Sequence, residues 1–254
     1  MGERAVSTTR LPWMLRKPSR PALLGACLAV AGWPVSLPAQ SRVLDEGTFS
    51  LFVAGTRIGR EDFSIRAAPG AADGAYIAQA NVLRGESKLT VRLNTDSAGF
   101  PLRFTLDETQ DGLTRETISG EARRDLWSGR AIRPTGERAR EFPLPRGSLA
   151  AEPQVIHHTW FLLTFGEGRA PSVLHPRSLT METVGIEDAG PDRVSLGLRE
   201  FVARKWLIRS SGGMMVREAW TDLEGHLLRV RIPDEDLDAL RDEPPAETPA
   251  PARA

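Results

Sequence analysis

From Val43 to Pro233 the chain alternates short apolar and polar steps, broken about every ten residues by clusters of Gly, Pro, Asp and Asn. That rhythm predicts antiparallel strands joined by tight turns. Four segments carry it cleanly. Leu89, Val91 and Leu93 alternate with Lys88, Thr90, Arg92 and Asn94, and Phe100, Leu102, Phe104 and Leu106 alternate with Arg103, Thr105 and Asp107. Val194, Leu196 and Leu198 repeat the pattern, as do Leu228, Val230 and Ile232 against Arg229 and Arg231. One apolar and one polar face per strand is the signature of an antiparallel sheet covered on a single side. Gly55-Thr56, Asp96 to Gly99, Asp111-Gly112 and Leu223-Glu224-Gly225 supply the turns, each with a glycine where positive φ costs little. The count comes to about ten to thirteen strands, enough for one large curved sheet, a half-barrel or open barrel meander.

One stretch departs from this period. Val155 to Phe165 reads V-I-H-H-T-W-F-L-L-T-F, apolar around nearly its whole circumference, with Pro153 before it and Gly166 after it. These flanks predict a helix over about 153–165, and a helix without a polar face must be buried. A buried strand is the alternative for so short an apolar run. A concave sheet with one apolar face and a single apolar helix fit together, the helix filling the hollow. Beyond Pro233, residues 234–242 read as a short acidic helix with Leu237 and Leu240 on one side. The Pro/Ala-rich remainder to 254 has the composition of a disordered tail. The expected organisation is a segment 1–39, one β domain over 40–233, and this C-terminal extension.

The first segment reads as a Sec-type signal peptide. Arg4, Arg10, Arg16, Lys17 and Arg20 make a basic start, Pro21 to Leu37 an apolar run, and Leu37-Pro38-Ala39 a small-residue site for cleavage after Ala39. The run is interrupted by Pro34, and a comfortable membrane span needs about 20 apolar residues, so no stable span is expected in the mature chain. Leu24-Gly25-Ala26-Cys27 loosely resembles a lipobox, but only Pro21 to Ala26 would then form the apolar region, and Cys27 reads as part of the signal. Removing this segment changes the charge. The whole chain has 33 basic and 33 acidic residues; the part after Ala39 keeps 28 and 32. A mildly acidic, exported, cysteine-free protein is the expectation, placed in the periplasm or outside the cell, and its balance argues against nucleic acid as a partner.

Candidate chemistry is sparse. No G-x-S-x-G elbow, P-loop or G-x-G-x-x-G occurs, and Arg193-Val194-Ser195-Leu196-Gly197 lacks the first glycine of an elbow. No cofactor is implied. His157, His158 and His175, with Glu182, are the only set that could serve a metal-dependent hydrolase, but adjacent helical residues point about 100° apart. His157 and His158 read instead as polar residues at the exposed start of the helix, and His226 as a solvated residue beside a turn. The pairs Glu61-Asp62, Asp107-Glu108 and Glu187-Asp188 lie on strands, where neighbours face opposite sides. What remains is apolar: Trp160, Phe161 and Phe165 on the helix, with Met181, Trp206, Met214 and Trp220 on strands, could line a hollow for an acyl chain or an apolar peptide segment.

The first hairpin, G-T-F-S-L-F-V-A-G-T-R-I-G-R-E-D-F over Gly47 to Phe63, the long meander, and the ending W-T-D-L-E-G-H-L-L-R-V-R-I-P over Trp220 to Pro233 resemble uncharacterised secreted domains of Gram-negative-type bacteria. Those are similar in architecture to the lipoprotein carriers LolA and LolB. The resemblance implies a curved sheet wrapped around helices and an apolar ligand, and it transfers no catalytic residue. The chain departs from those carriers in having one convincing helix and no acylation cysteine. The expected function is a non-enzymatic binding or carrier module of the cell envelope for a lipid, acyl chain or lipoprotein segment. The alternatives are an envelope interaction protein with a filled core and a partner protein on its surface, or the hydrolase above.

Overall fold

The computed structural model describes residues 41–67, 75–212 and 215–246. The segment 1–39 expected to be a signal peptide, with Cys27, the predicted pocket residue Met214, and the last eight residues of the tail lie outside them. Eight strands run as a meander: β1 (Arg42–Val53), β2 (Thr56–Ala67), β3 (Tyr76–Arg84), β4 (Ser87–Thr95), β5 (Pro101–Gln110), β6 (Leu113–Arg123), β7 (Leu126–Arg133) and β8 (Gly136–Pro143). After the short β9 (Leu149–Ala150) and the helix α1 (Thr159–Gly166), a second meander follows: β10 (Ser172–His175), β11 (Thr180–Leu196), β12 (Arg199–Ser210), β13 (Met215–Thr221), β14 (Leu227–Ile232) and β15 (Leu237–Arg241). All fifteen belong to one sheet, in the order β8 through β1, then β15 through β9. It is an open barrel meander wrapped around a single helix, as the alternation predicted.

The alternation sets the two faces. Phe49, Leu51, Phe63, Ile65, Ala78, Val82, Leu89, Val91, Leu93, Phe104, Leu106 and Ile118 all lie buried on the concave side. Their chain neighbours, such as Arg92, Arg103 and Asp107, face solvent. Register is pinned by tight turns, for instance Ala54-Gly55 and Asp111-Gly112, where both central residues have φ between 48° and 76°. Gly120 and Gly129 are paired across β6 and β7, and the Trp127 indole occupies the space that a side chain at either would fill.

The helix is apolar all round, and Trp160, Phe161, Leu162 and Leu163 are buried in the hollow. It starts six residues later than Pro153 suggested. Residues 152–158 form consecutive turns instead, because side chains from distant strands take the backbone groups that a helix would have used. No described helix is long and apolar enough to cross a membrane.

Residues 234–242 do not form the acidic helix expected of them. Only Pro233–Glu235 form a single 3-10 turn, and Leu237–Arg241 is a strand that pairs with both β1 and β14. Leu237 and Ala239 point into the core. The third inward position is Arg241, whose guanidinium donates to Asp45 on β1 at 2.8 Å and to the carbonyl of Leu227. Leu227 N–H in turn donates to Asp45. This buried ion pair sits where the two meanders meet.

The other two sheet ends, β8 and β9, are not hydrogen-bonded to each other. Side chains bridge the region between them. Arg140 on β8 donates to the carbonyl of Leu179 in the β10–β11 turn, and the Leu179 side chain packs against Gly129 on β7.

Candidate functional site

Two places in the described residues combine unusual chemistry with definite geometry: a buried polar network beside the helix, and a groove at the rim of the sheet.

The network begins at Glu61, which the pleat of β2 turns inward among Phe49, Phe63 and Ile65 while Asp62 faces out. Its carboxylate accepts from the backbone N–H groups of Ile156 and His157 and from His157 Nδ1, each at 2.8 Å. Opposite it, Arg217 on β13 is fully buried and, among the described residues, forms no ion pair with a carboxylate. It donates to Thr159 Oγ1 at 2.6 Å, to the Glu152 carbonyl at 2.9 Å, and to the carbonyls of Pro153 and Val155. Burial lowers its pKa to about 10. Glu61 and Arg217 thus hold the turn segment 152–159 from two sides, one taking its donors and the other its acceptors. That is the physical reason for the late helix start.

His157 and His158 are both wholly buried, which corrects their placement at an exposed helix start. The His157 ring stacks on Phe63 and lies 4.6 Å from the His158 ring, which packs edge-on against Phe104. Glu152 N–H donates to His158 Nδ1 at 3.0 Å, fixing the proton of the neutral ring on Nε2. Burial, with the neighbouring His157 and Arg217, holds His158 well below the usual histidine range, so it is uncharged. The Glu61–His157 pair has the form of a carboxylate–histidine dyad, but neither side chain has any surface that a substrate could touch.

A second layer lies beyond Glu152. Its carboxylate accepts from Arg177 N–H at 3.1 Å, and burial raises its pKa to about 7. The Arg177 side chain spans the hollow to Glu116 on β6, at 2.5 Å, and to Glu108 on β5. His175 uses its two nitrogens on the Ala151 carbonyl and on Glu182, each at 2.7 Å. His175 and Glu182 therefore form a separate pair from His157 and His158. Among the described residues no three His, Cys, Asp or Glu side chains converge as a metal would require.

The residues expected to line a hollow are divided by the structure. Trp160, Phe161 and Phe165 form one aromatic cluster with Tyr76, at centroid separations of 5.1–6.3 Å. Met181 packs half-buried against the same core. Phe161, Val155, Ile156 and Leu174 have no surface that a water molecule could touch, so the helix and its turns fill the space around them. Trp220 is on the other face of the sheet, in a smaller cluster with Val194, Leu196, Ala203 and Leu228, and its indole N–H donates to Asp192. Lys205 and Arg229 lie over its ring at 4.9 and 5.1 Å.

Trp206 borders an open groove. Its indole donates to Thr221 Oγ1 at 3.1 Å, and its ring joins the core to a groove of about 440 Å³ lined by Pro191, Val202, Arg204, Thr221, Asp222 and Leu223 among others. The groove exists because β11 and β12 run on past β13 as a free hairpin. Cross-strand partners share a face, so Pro191 with Arg204, and Arg193 with Val202, point to the groove side. Leu223 is 83% exposed, Val202 59%, and Leu198 at the hairpin tip entirely so. His226 is half-buried and bonded to Asp222 rather than solvated.

No protein-family model matches the chain, and no curated protein sequence or solved structure does.

Proposed function

We propose that this is an exported, non-enzymatic binding module of the bacterial cell envelope that takes an apolar chain in the rim groove over Trp206. The observation that carries the reading is the groove itself. Its volume of about 440 Å³ falls in the range of small-molecule sites, and it has an indole floor and aliphatic walls. Val202 and Leu223 give apolar surface to water there, an arrangement that a ligand would relieve. The reading keeps the carrier chemistry implied by the resemblance to LolA and LolB but moves it from the hollow, which the helix occupies, to the rim.

The test is a titration of the purified chain with a brominated fatty acid, reading quenching of tryptophan fluorescence. Binding at micromolar concentration is expected, with the quenching lost in Trp206→Phe and the affinity reduced about ten-fold or more by Val202→Glu, roughly 1.4 kcal/mol. No quenching at concentrations below micelle formation would sink the reading. The filled hollow and the fully exposed Leu198 favour one other reading, a protein interaction surface on the same hairpin. Export itself is tested by the N-terminus of the secreted protein, which should begin at Gln40.

A further inference from the structure

The groove has a polar end as well as an apolar floor, and its chemistry is specific. Arg204 lies with its guanidinium carbon 5.4 Å from the Trp206 ring centroid, so it stacks over the indole at the edge of the apolar lining. Its Nη2 pairs with Asp188 at 2.8 Å, and 53% of the side chain is exposed. That contact uses one edge of a planar fork with five donors, whose geometry matches a carboxylate or phosphate. Asp188 has a second commitment, accepting from Gly190 N–H at 2.9 Å, and so stays anchored if Arg204 turns away.

The acid that lines the groove, Asp222, is already engaged. Its Oδ1 accepts from the N–H groups of Glu224 and His226, each at 2.9 Å, and its Oδ2 pairs with His226 Nδ1 at 2.8 Å. The hydrogen bond between them raises the His226 pKa and, against burial, lowers that of Asp222. Arg193, opposite Val202 on the same face, is held by Glu200 at the outer end of the hairpin. Arg204 is therefore the cation of the groove lining, 53% exposed, and its position joins the charged edge to the indole floor.

From this geometry we infer that the ligand is a single-chain amphiphile with an anionic head, its carboxylate or phosphate taken by Arg204 and its chain laid along Trp206, Pro191, Val202 and Leu223. This rests on the proposed binding role of the groove and adds the charge of the head. A free fatty acid and a lysophospholipid present the same chemistry from two sources. An exposed ion pair such as Arg204–Asp188 contributes little stability and is exchanged for a bidentate anion at small cost.

The experiment compares three probes on the full purified chain by calorimetry: oleate, oleoyl-lysophosphatidate, and oleyl alcohol, which has a chain of the same length and no charge. Both anions should bind about ten-fold or more tightly than the alcohol, and their advantage should shrink as salt is raised. Arg204→Gln should bring oleate to the level of the alcohol. Arg231→Gln, which removes the same charge from the opposite face, should leave the difference intact. Equal binding of oleate and the alcohol, or an Arg204→Gln variant that still prefers the anion, would overturn the inference while leaving the groove as an apolar site. Failure of all three probes would remove the groove reading as well. Preference for only one of the two anions identifies the source of the head group and supports the inference.

Discussion

The buried carboxylate of Glu152 makes the stability of this fold depend on pH in a direction opposite to that of most acidic residues. Burial raises its pKa from 4.5 to about 7, against the smaller opposing effects of Arg177 and Arg217. The folded protein therefore holds this proton more tightly than the unfolded chain does. Below pH 4.5 both states are protonated and the group costs nothing. As the pH rises from 4.5 through 7 the unfolded state gives up its proton first, and stability is lost until the folded state also ionises. Above that the loss is constant, about 3 kcal/mol.

Glu152→Gln removes the proton from this balance and keeps an oxygen to accept from Arg177 N–H. Urea unfolding at pH 5 and pH 8, wild type against variant, isolates the effect because every other titration occurs in both. The variant should be more stable than wild type at pH 8 by up to about 3 kcal/mol, and the difference should fall to about 1 kcal/mol or less at pH 5. A difference that is the same at both pH values, or a variant weaker at pH 8, would refute the argument that desolvation outweighs the two arginines.

Other consequences of the structure are open to the same kind of measurement. Arg217→Met leaves four acceptors of the segment 152–159 without their donor and should cost about 3 kcal/mol or more in urea unfolding; a loss below about 1 kcal/mol would mean that the segment holds itself. A chain ending at Ala246 should fold like the full protein, whereas one ending at Ile232 lacks β15 and should aggregate or stay unfolded by circular dichroism and size exclusion, since β1 and β14 then present open edges. Gly59→Ala places a Cβ on the carbonyl of Leu83 across the β2–β3 ladder, and should lower the thermal midpoint by several degrees; an unchanged midpoint would show that the ladder gives way freely.

Much of the fold was legible because it rests on local pattern. Leu89, Val91 and Leu93 face inward as their period of two requires, and the apolar run around Phe161 is the buried helix. What escaped depends on partners far away in the chain. The helix start could not be placed because the groups that hold residues 152–159 belong to Glu61 and Arg217, each of which reads in isolation as a surface charge on an alternating strand. Burial of His157 follows from the same two residues. The strand Leu237–Arg241 was hidden by its acids and by Arg241 at an inward position, where the pattern calls for an apolar side chain and Asp45, 196 residues away, makes the exception possible. One signal was available there: Leu237 and Ala239 continue the period of the preceding strand. Trp206 and Trp220 could not be separated from sequence, since nothing local shows that β11 and β12 outrun their neighbours.

The place of β15 also sets an order of events during synthesis. The two meanders can each begin to pair as they are made, but the rows of hydrogen-bonding groups on β1 and β14 that face one another have no partner until residues 237–241 have been polymerised, when Phe49 finally meets Arg241. The sheet is thus completed by a late insertion rather than by growth from its first hairpin. Such a chain spends its translation with two sticky edges and a half-covered apolar face. Holding it unfolded until the last strand is available, whether by chaperones or by passage through a membrane channel, favours the native pairing over pairing between two unfinished chains.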